Sequence, residues 1–296
     1  MAILLGLLVA LFYGSGDFAG GLAAKRSNTL SVVLAAYGLA AVQVATATGV
    51  WLLVGEPPDP ASKDLALGVA SGFVAPVAIG LLYGGLASGR MSVVAPITAV
   101  VAAAVPLSWG LLTGERPSAV ALAGVVVALV AVGLISGAPT HDDHPEDAPV
   151  PPLSGVIPAA VGSGIGFGVI YVLLGSTTED AGIWPLVVAR PTSVVLTAMA
   201  AVLVAARTGG PRRPLLVASR ASLPFVAAAG VLDVSANAAY IAATQRGLLS
   251  IVAVLSSLYP AATVVLARIV LGERLHRLQL VGLAAAGFGI VAMASG

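Results

Sequence analysis

The chain has 296 residues, of which 58% are hydrophobic and only 9% charged, with a mean hydropathy of +1.03. Soluble domains carry about 25% charged residues, and a globule this poor in charge could not cover its surface with polar groups, so lipid is the solvent for most of it. A formal net charge of +1 gives no basis for a nucleic-acid partner, and the absence of cysteine excludes disulfides, thiolate metal sites and cysteine nucleophiles.

A spanning helix needs about 20 mostly apolar residues. Charges and turn residues cut the chain into ten such pieces, predicted at 2–22, 29–54, 65–87, 92–112, 119–138, 154–175, 183–206, 221–244, 248–270 and 279–296. The first piece, MAILLGLLVALF onward, has neither a basic leader nor a small-residue cleavage pattern, so it reads as a retained span. Lys25-Arg26-Ser27-Asn28 ends it, and Glu56-Pro57-Pro58-Asp59-Pro60 ends the second. Ser88-Gly89-Arg90 and Gly114-Glu115-Arg116-Pro117 make short hairpins. The longest polar stretch runs from Pro139 to Pro152. Its His141-Asp142-Asp143-His144 segment has suitable metal-ligand types, but the prolines around it favour a solvated linker.

Loop charges predict an orientation. Lys25, Arg26, Arg90, Arg207, Arg212, Arg213, Arg220, Arg274 and Arg277 lie in the odd-numbered loops, against Lys63, Arg116 and Arg246 in the even ones. The positive-inside rule then puts the odd loops in the cytoplasm and both chain ends outside.

The sequence repeats when Tyr13 is laid over Tyr171. Without a gap, Gly6 meets Gly164, Leu65 meets Leu223, Gly72 meets Gly230, Ser92 meets Ser250, and Gly114-Glu115-Arg116 meets Gly272-Glu273-Arg274. The expected organisation is a first five-helix repeat over 1–138, a polar acidic linker over 139–153 and a second five-helix repeat over 154–296. Five is odd, so the second copy enters the membrane from the opposite side. Inverted repeats of this kind commonly hold a substrate near the midplane between them. The Gly-Glu-Arg turns have a plain structural reading, in which an acid just before a helix favours that helix's dipole and Pro117 suits its first turn, with a gating role as the alternative.

Charges at mid-bilayer cost about 2.5–3.5 kcal/mol on insertion scales and usually face a cavity or a partner. Asp17, Arg190 and Asp233 stand well inside predicted spans. In the eighth span Gly230, Asp233, Asn237, Tyr240 and Thr244 fall on one helical stripe. The equivalent stripe of the third span, Gly72, Ala75, Ile79, Leu82 and Leu86, is apolar. One copy has thus acquired a polar face, which suits either a substrate or ion site or a polar helix–helix seam. Tyr13 and Asp17 share a face of the first span, and Asp17 is close enough to the span end to be either a cavity carboxylate or a water-exposed one. Arg190 is expected to pair with Asp233 or Asp17 or to meet an anionic substrate group, and Pro191 disfavours helix at Arg190. Pro76, Pro96, Pro106 and Pro260 interrupt other spans, and Ser256 and Tyr259 beside Pro260 complete the candidate substrate-binding set. Glycine pairs Gly16/Gly20, Gly80/Gly84 and Gly164/Gly168 predict close helix contacts. The run from Gly162 to Gly168 lies in an apolar span without a preceding strand, so it is not a phosphate loop.

The two copies resemble EamA repeats of the drug/metabolite transporter superfamily. The likeness rests on the ten spans, on Leu112 to Pro117 and Leu271 to Leu275, each before the last helix of its repeat, and on Phe12 to Gly16. The resemblance implies an all-α membrane protein that moves small metabolites such as amino acids, or drug-like compounds, in either direction. It also implies chain ends inside, opposite to the arginine distribution, and a neutral residue where Asp17 stands.

The resulting expectation is a multi-pass cell-membrane secondary transporter working by alternating access, with a proton carried by Asp233 or Asp17 as the coupling ion. Its partners are a small-molecule solute and the bilayer, with self-association left open; no cofactor or metal is implied. An intramembrane enzyme is disfavoured because His141, His144 and His276 all lie in loops, leaving no imidazole base within a span. A non-transporting membrane component is the other alternative, and it lacks a soluble domain to carry a signal.

Overall fold

A computed structural model describes residues 1–24, 26–55, 59–87, 91–137, 153–208, 218–272 and 275–295. The His141–His144 segment, most of the predicted linker, and Glu273-Arg274 lie outside the described residues. In lipid a spanning segment must satisfy its own backbone, which a helix does. The described regular structure is helical throughout: α1 Ala2–Ala24, α2 Thr29–Val54, α3 Ser62–Ala87, α4 Met91–Leu112, α5 Ala119–Ser136, α6 Leu153–Gly175, α7 Trp184–Thr208, α8 Leu223–Thr244, α9 Leu249–Ser256, α10 Tyr259–Leu266 and α11 Arg277–Ser295. Nine apolar stretches among the described residues are long enough to cross a membrane, and the described part of α4 adds the shorter Pro96–Leu112. The ninth span, Leu249–Leu271, is α9 and α10 in series, continued by a π-helical turn over Ala267–Leu271.

Prolines act less evenly than the sequence suggests. Helix runs unbroken through Pro76, Pro96, Pro106 and Pro191, so Arg190 is helical after all. Neighbouring helices can re-satisfy the backbone that a proline frees. A break occurs at Ser257-Leu258, and there Pro260 occupies the first turn of the new helix, where its missing N–H costs nothing.

Taking α1 to α5 as equivalent to α6, α7, α8, the α9–α10 span and α11, the helix contacts come in matched pairs. Helix α1 packs on α8 as α6 packs on α3. The α9–α10 span packs on α1 as α4 packs on α6, and α8 packs on α2 as α3 packs on α7. Helices α2 and α7 meet each other, as do α5 and α11. These are contacts between halves, so neither repeat completes its packing alone. Both Gly-Glu-Arg turns hold their glycine in the left-handed region, Gly114 at φ 103° and Gly272 at φ 70°, so the duplication extends to backbone conformation.

Small residues let these helices approach. A Cβ on Gly124 would lie 2.8 Å from Gly289 O and 2.9 Å from Met293 N, and one on Gly289 would lie 2.9 Å from Gly124 O. Gly164 and Gly168 sit against α4 in the same way, beside Val101 and Val105. The Gly16/Gly20 contact on α8 is looser, and Gly80 faces open space.

The even-loop face is tied together by side chains crossing between the halves. Buried Asp64, in the first turn of α3, accepts hydrogen bonds from Thr178 N (3.0 Å) and Thr178 Oγ1 (2.7 Å). Gln245 Nε2 donates to Thr178 O at 3.1 Å. The Glu115 carboxylate accepts from Leu249 N at 2.6 Å and Ser250 N at 3.0 Å. It therefore caps α9 in the other repeat, while α5, the helix that follows it, is capped by Ser118 Oγ on Ala121 N. The sequence reading of this acid had the right chemistry and the wrong helix.

Overpacking at a glycine crossing should cost at least about 1–3 kcal/mol. Gly124→Val is expected to lower the Tm of the detergent-purified protein, while Gly80→Ala leaves it unchanged, as measured by thermal unfolding.

Candidate substrate site between the repeats

Four helices from both halves surround the centre of the molecule. A small cleft of about 80 Å³ is lined by Tyr13, Gly16, Asp17 and Gly20 of α1, Val32, Val33, Ala36 and Tyr37 of α2, Ile79 of α3, and Ala229 and Asp233 of α8. Val32 and Val33 lie in the first turn and a half of α2, Gly20 in the last turn and a half of α1, and Ala229 in the second turn of α8. All three helix ends belong to the odd-loop face, so the cleft runs toward that face.

The polar floor is built on α8. Arg190 Nη1 of α7 lies 2.9 Å from Asp233 Oδ2, with side chains 7% and 33% exposed. Asn237, one turn after Asp233, donates from Nδ2 to Asp233 O at 2.7 Å and to Asp233 Oδ1 at 3.3 Å. The amide thus ties both the backbone and the carboxylate of Asp233. The Arg190 guanidinium also lies 5.8 Å from the Tyr37 ring centroid, within cation–π range. Its Nε is buried and has no hydrogen-bond partner among the described residues.

Below the floor, toward the even-loop face, three tyrosines are in contact. Tyr13 and Tyr171 have ring centroids 6.1 Å apart, and Tyr171 and Tyr240 stack at 4.8 Å with planes 26° apart. Tyr240 is fully buried and its hydroxyl has no hydrogen-bond partner among the described residues. Val9, Val44, Leu174, Leu186 and Leu249 pack around this stack.

The eight residues singled out from the sequence therefore divide. Tyr13, Asp17 and Asp233 line the cleft; Arg190 and Asn237 hold Asp233; Tyr240 stacks behind Tyr13 through Tyr171. Ser256 is buried with its hydroxyl donating to Val252 O at 2.8 Å, and it does not reach the cleft. Tyr259 packs with a second core cluster, and its carbonyl approaches Gly14. Tyr37 was not singled out. A lone tyrosine in the middle of an apolar span was its signal, the same one that marked Tyr13. Val32, Ile79 and Ala229 carried no signal, because apolar lining residues look like apolar packing residues.

The family model for the EamA-like transporter family matches residues 1–137 and 154–295. The chain belongs to the EamA-like transporter family. Members of that family are membrane transporters, and the spans described above make this a multi-pass membrane protein. A solved structure titled "Crystal structure of protein" is similar over 98% of this chain and 95% of its own, with a TM-score of 0.71 and 16% identity. At that identity the likeness shows the shared fold alone. No curated protein matches the chain.

Breaking a buried ion pair from one side leaves an uncompensated charge and typically costs about 3–5 kcal/mol. Arg190→Gln is expected to lower the thermal stability of the purified EamA-family chain strongly. Adding Asp233→Asn to the same chain should recover most of that loss, and a double-mutant cycle measures the coupling.

Proposed function

We propose that the chain is a secondary transporter that moves a small metabolite or drug-like solute across the cell membrane by alternating access, with the cleft between the repeats as its substrate path. One observation carries this reading. The cleft lies where both halves meet, runs toward one face, and is backed on the other by stacked tyrosines and by capping contacts between the halves. Tyr13, Asp17, Tyr37 and Asp233 are the substrate-facing residues in this proposal, and Arg190 and Asn237 position Asp233. Tyr240 is assigned to the closed gate. Ser256 and Tyr259 flank the break in the ninth span and act through its packing.

Ligand pockets for drug-sized molecules usually hold about 300–1,000 Å³. A cleft of about 80 Å³ is too small to enclose such a solute. In this reading the solute is enclosed after α1, α2, α3 and α8 separate further on the odd-loop side. Transport then requires the reverse motion to release the caps made by Glu115 and Asp64. A proton on Asp233 or Asp17 is the proposed coupling ion, since these are the two carboxylates that line the cleft.

Purified chain in proteoliposomes should accumulate a solute from a metabolite pool against its gradient when a pH gradient is imposed. Asp233→Asn should reduce that flux at least tenfold. Flux absent from every pool and gradient tested would contradict the transporter reading, and flux blind to the pH gradient in both proteins would remove the proton.

A further inference from the structure

The charges around the cleft do not balance. Arg190 and Asp233 neutralise each other at 2.9 Å, which leaves the carboxylate of Asp17. Asp17 is exposed, lines the cleft and forms no ion pair or hydrogen bond with any described residue. Among the described residues that line the cleft, none is a cation. Helix α2 contributes Val32, Val33, Ala36 and Tyr37, α3 contributes Ile79, and α8 contributes Ala229 and the already paired Asp233. Arg26, just past the end of α1, is not part of the lining: its Nη1 donates to Ala221 O at 3.4 Å and its guanidinium lies 4.6 Å from the Phe225 ring centroid.

A carboxylate held within a span and left without a partner calls for a counter-charge. The walls on either side of it set what kind. Tyr13 stands one turn before Asp17 on the same face, and Val33, Ala36 and Ile79 make the remainder of the lining apolar. A carboxylate beside an aromatic ring recognises an ammonium group through charge and through the ring face together. The apolar remainder accepts a hydrocarbon or aromatic body. An anionic solute would meet Asp17 unscreened, because Arg190 beneath the floor is already held by Asp233.

We propose that the solute is a small organic cation, a protonated amine on an apolar body, whose ammonium group pairs with Asp17 while the body lies against Tyr13 and Ile79. This deepens the transporter reading and rests on it. Asp17 is the specificity-determining residue of that site, and because it supports no other side chain its removal leaves the fold intact.

The test uses the whole purified chain and matched sets of ligands that share one hydrocarbon body. One set is phenethylammonium, its neutral N-acetyl derivative and 3-phenylpropionate. The other is n-butylammonium, its N-acetyl derivative and pentanoate. Binding is followed at pH 7 by titration calorimetry and by ligand-induced thermal stabilisation. At least one ammonium member is expected to bind wild type and Asp17→Glu, and to bind Asp17→Asn at least tenfold more weakly, with the Tm of ligand-free Asp17→Asn unchanged. Equal binding of a neutral or carboxylate member, ammonium binding that survives Asp17→Asn, or no ammonium binding at all would overturn the proposal. Flux of a neutral or anionic solute in proteoliposomes, together with any of those results, would leave transport standing and remove only the cationic class.

Discussion

An ionised side chain inside a bilayer must have a partner, and in this protein that constraint is met by Arg190 and Asp233. The two come from adjacent helices of the second repeat, and their contact lies against α1 and α2 of the first. Arg190 is buried and Asp233 reaches only the cleft, so the pair ties α7 to α8. Asn237 adds a brace from one turn along α8. The cleft exists beside this pair because α1 approaches α8 through Gly16 and Gly20 and leaves space that larger residues would fill.

Duplication explains the frame, and divergence explains the chemistry. Val32, the counterpart of Arg190, lines the cleft on the α2 side, and Ile79, the counterpart of Asn237, lines it from α3. Ala75 stands where the second copy has Asp233. The same structural positions therefore present one polar wall and one apolar wall to a shared space. A symmetric pair of polar walls would place two buried ion pairs in the membrane, each costly to desolvate. The two faces differ in a similar way. Glu115 reaches across to α9 and Asp64 to Thr178 on the even-loop face, whereas Arg26, Ser27 and Ser219 make the described contacts on the odd-loop face.

The ten spans and the repeat were legible because each depends on a long signal: runs of apolar residues, and many aligned positions. Span ends were less legible where a charge belongs to the helix. The third span was predicted to begin at 65, yet Asp64 sits buried in the first turn of α3, where the dipole and Thr178 both favour a carboxylate. The pairing of Arg190 with Asp233 could be narrowed from the cost of intramembrane charge, which leaves few partners. The cap from Glu115 to α9 could not, because it joins residues 134 positions apart and nothing in a short turn reveals which helix will pass beside it. Ser256 was a candidate because it stands beside Pro260, where a broken helix can line a cavity, but a serine bonding to its own helix backbone needs no cavity.

Alternating access between inverted halves makes a sided prediction, and the chain suits the experiment because it contains no cysteine. Ile79→Cys places a single thiol in the cleft wall, to be labelled with a membrane-impermeant maleimide in sealed vesicles of each orientation. The account predicts labelling from the odd-loop side alone, and a shift toward labelling from the even-loop side when Glu115→Ala removes the cap on α9. A thiol at position 79 that is inert from both sides, or a sidedness that Glu115→Ala leaves unaltered, would contradict it.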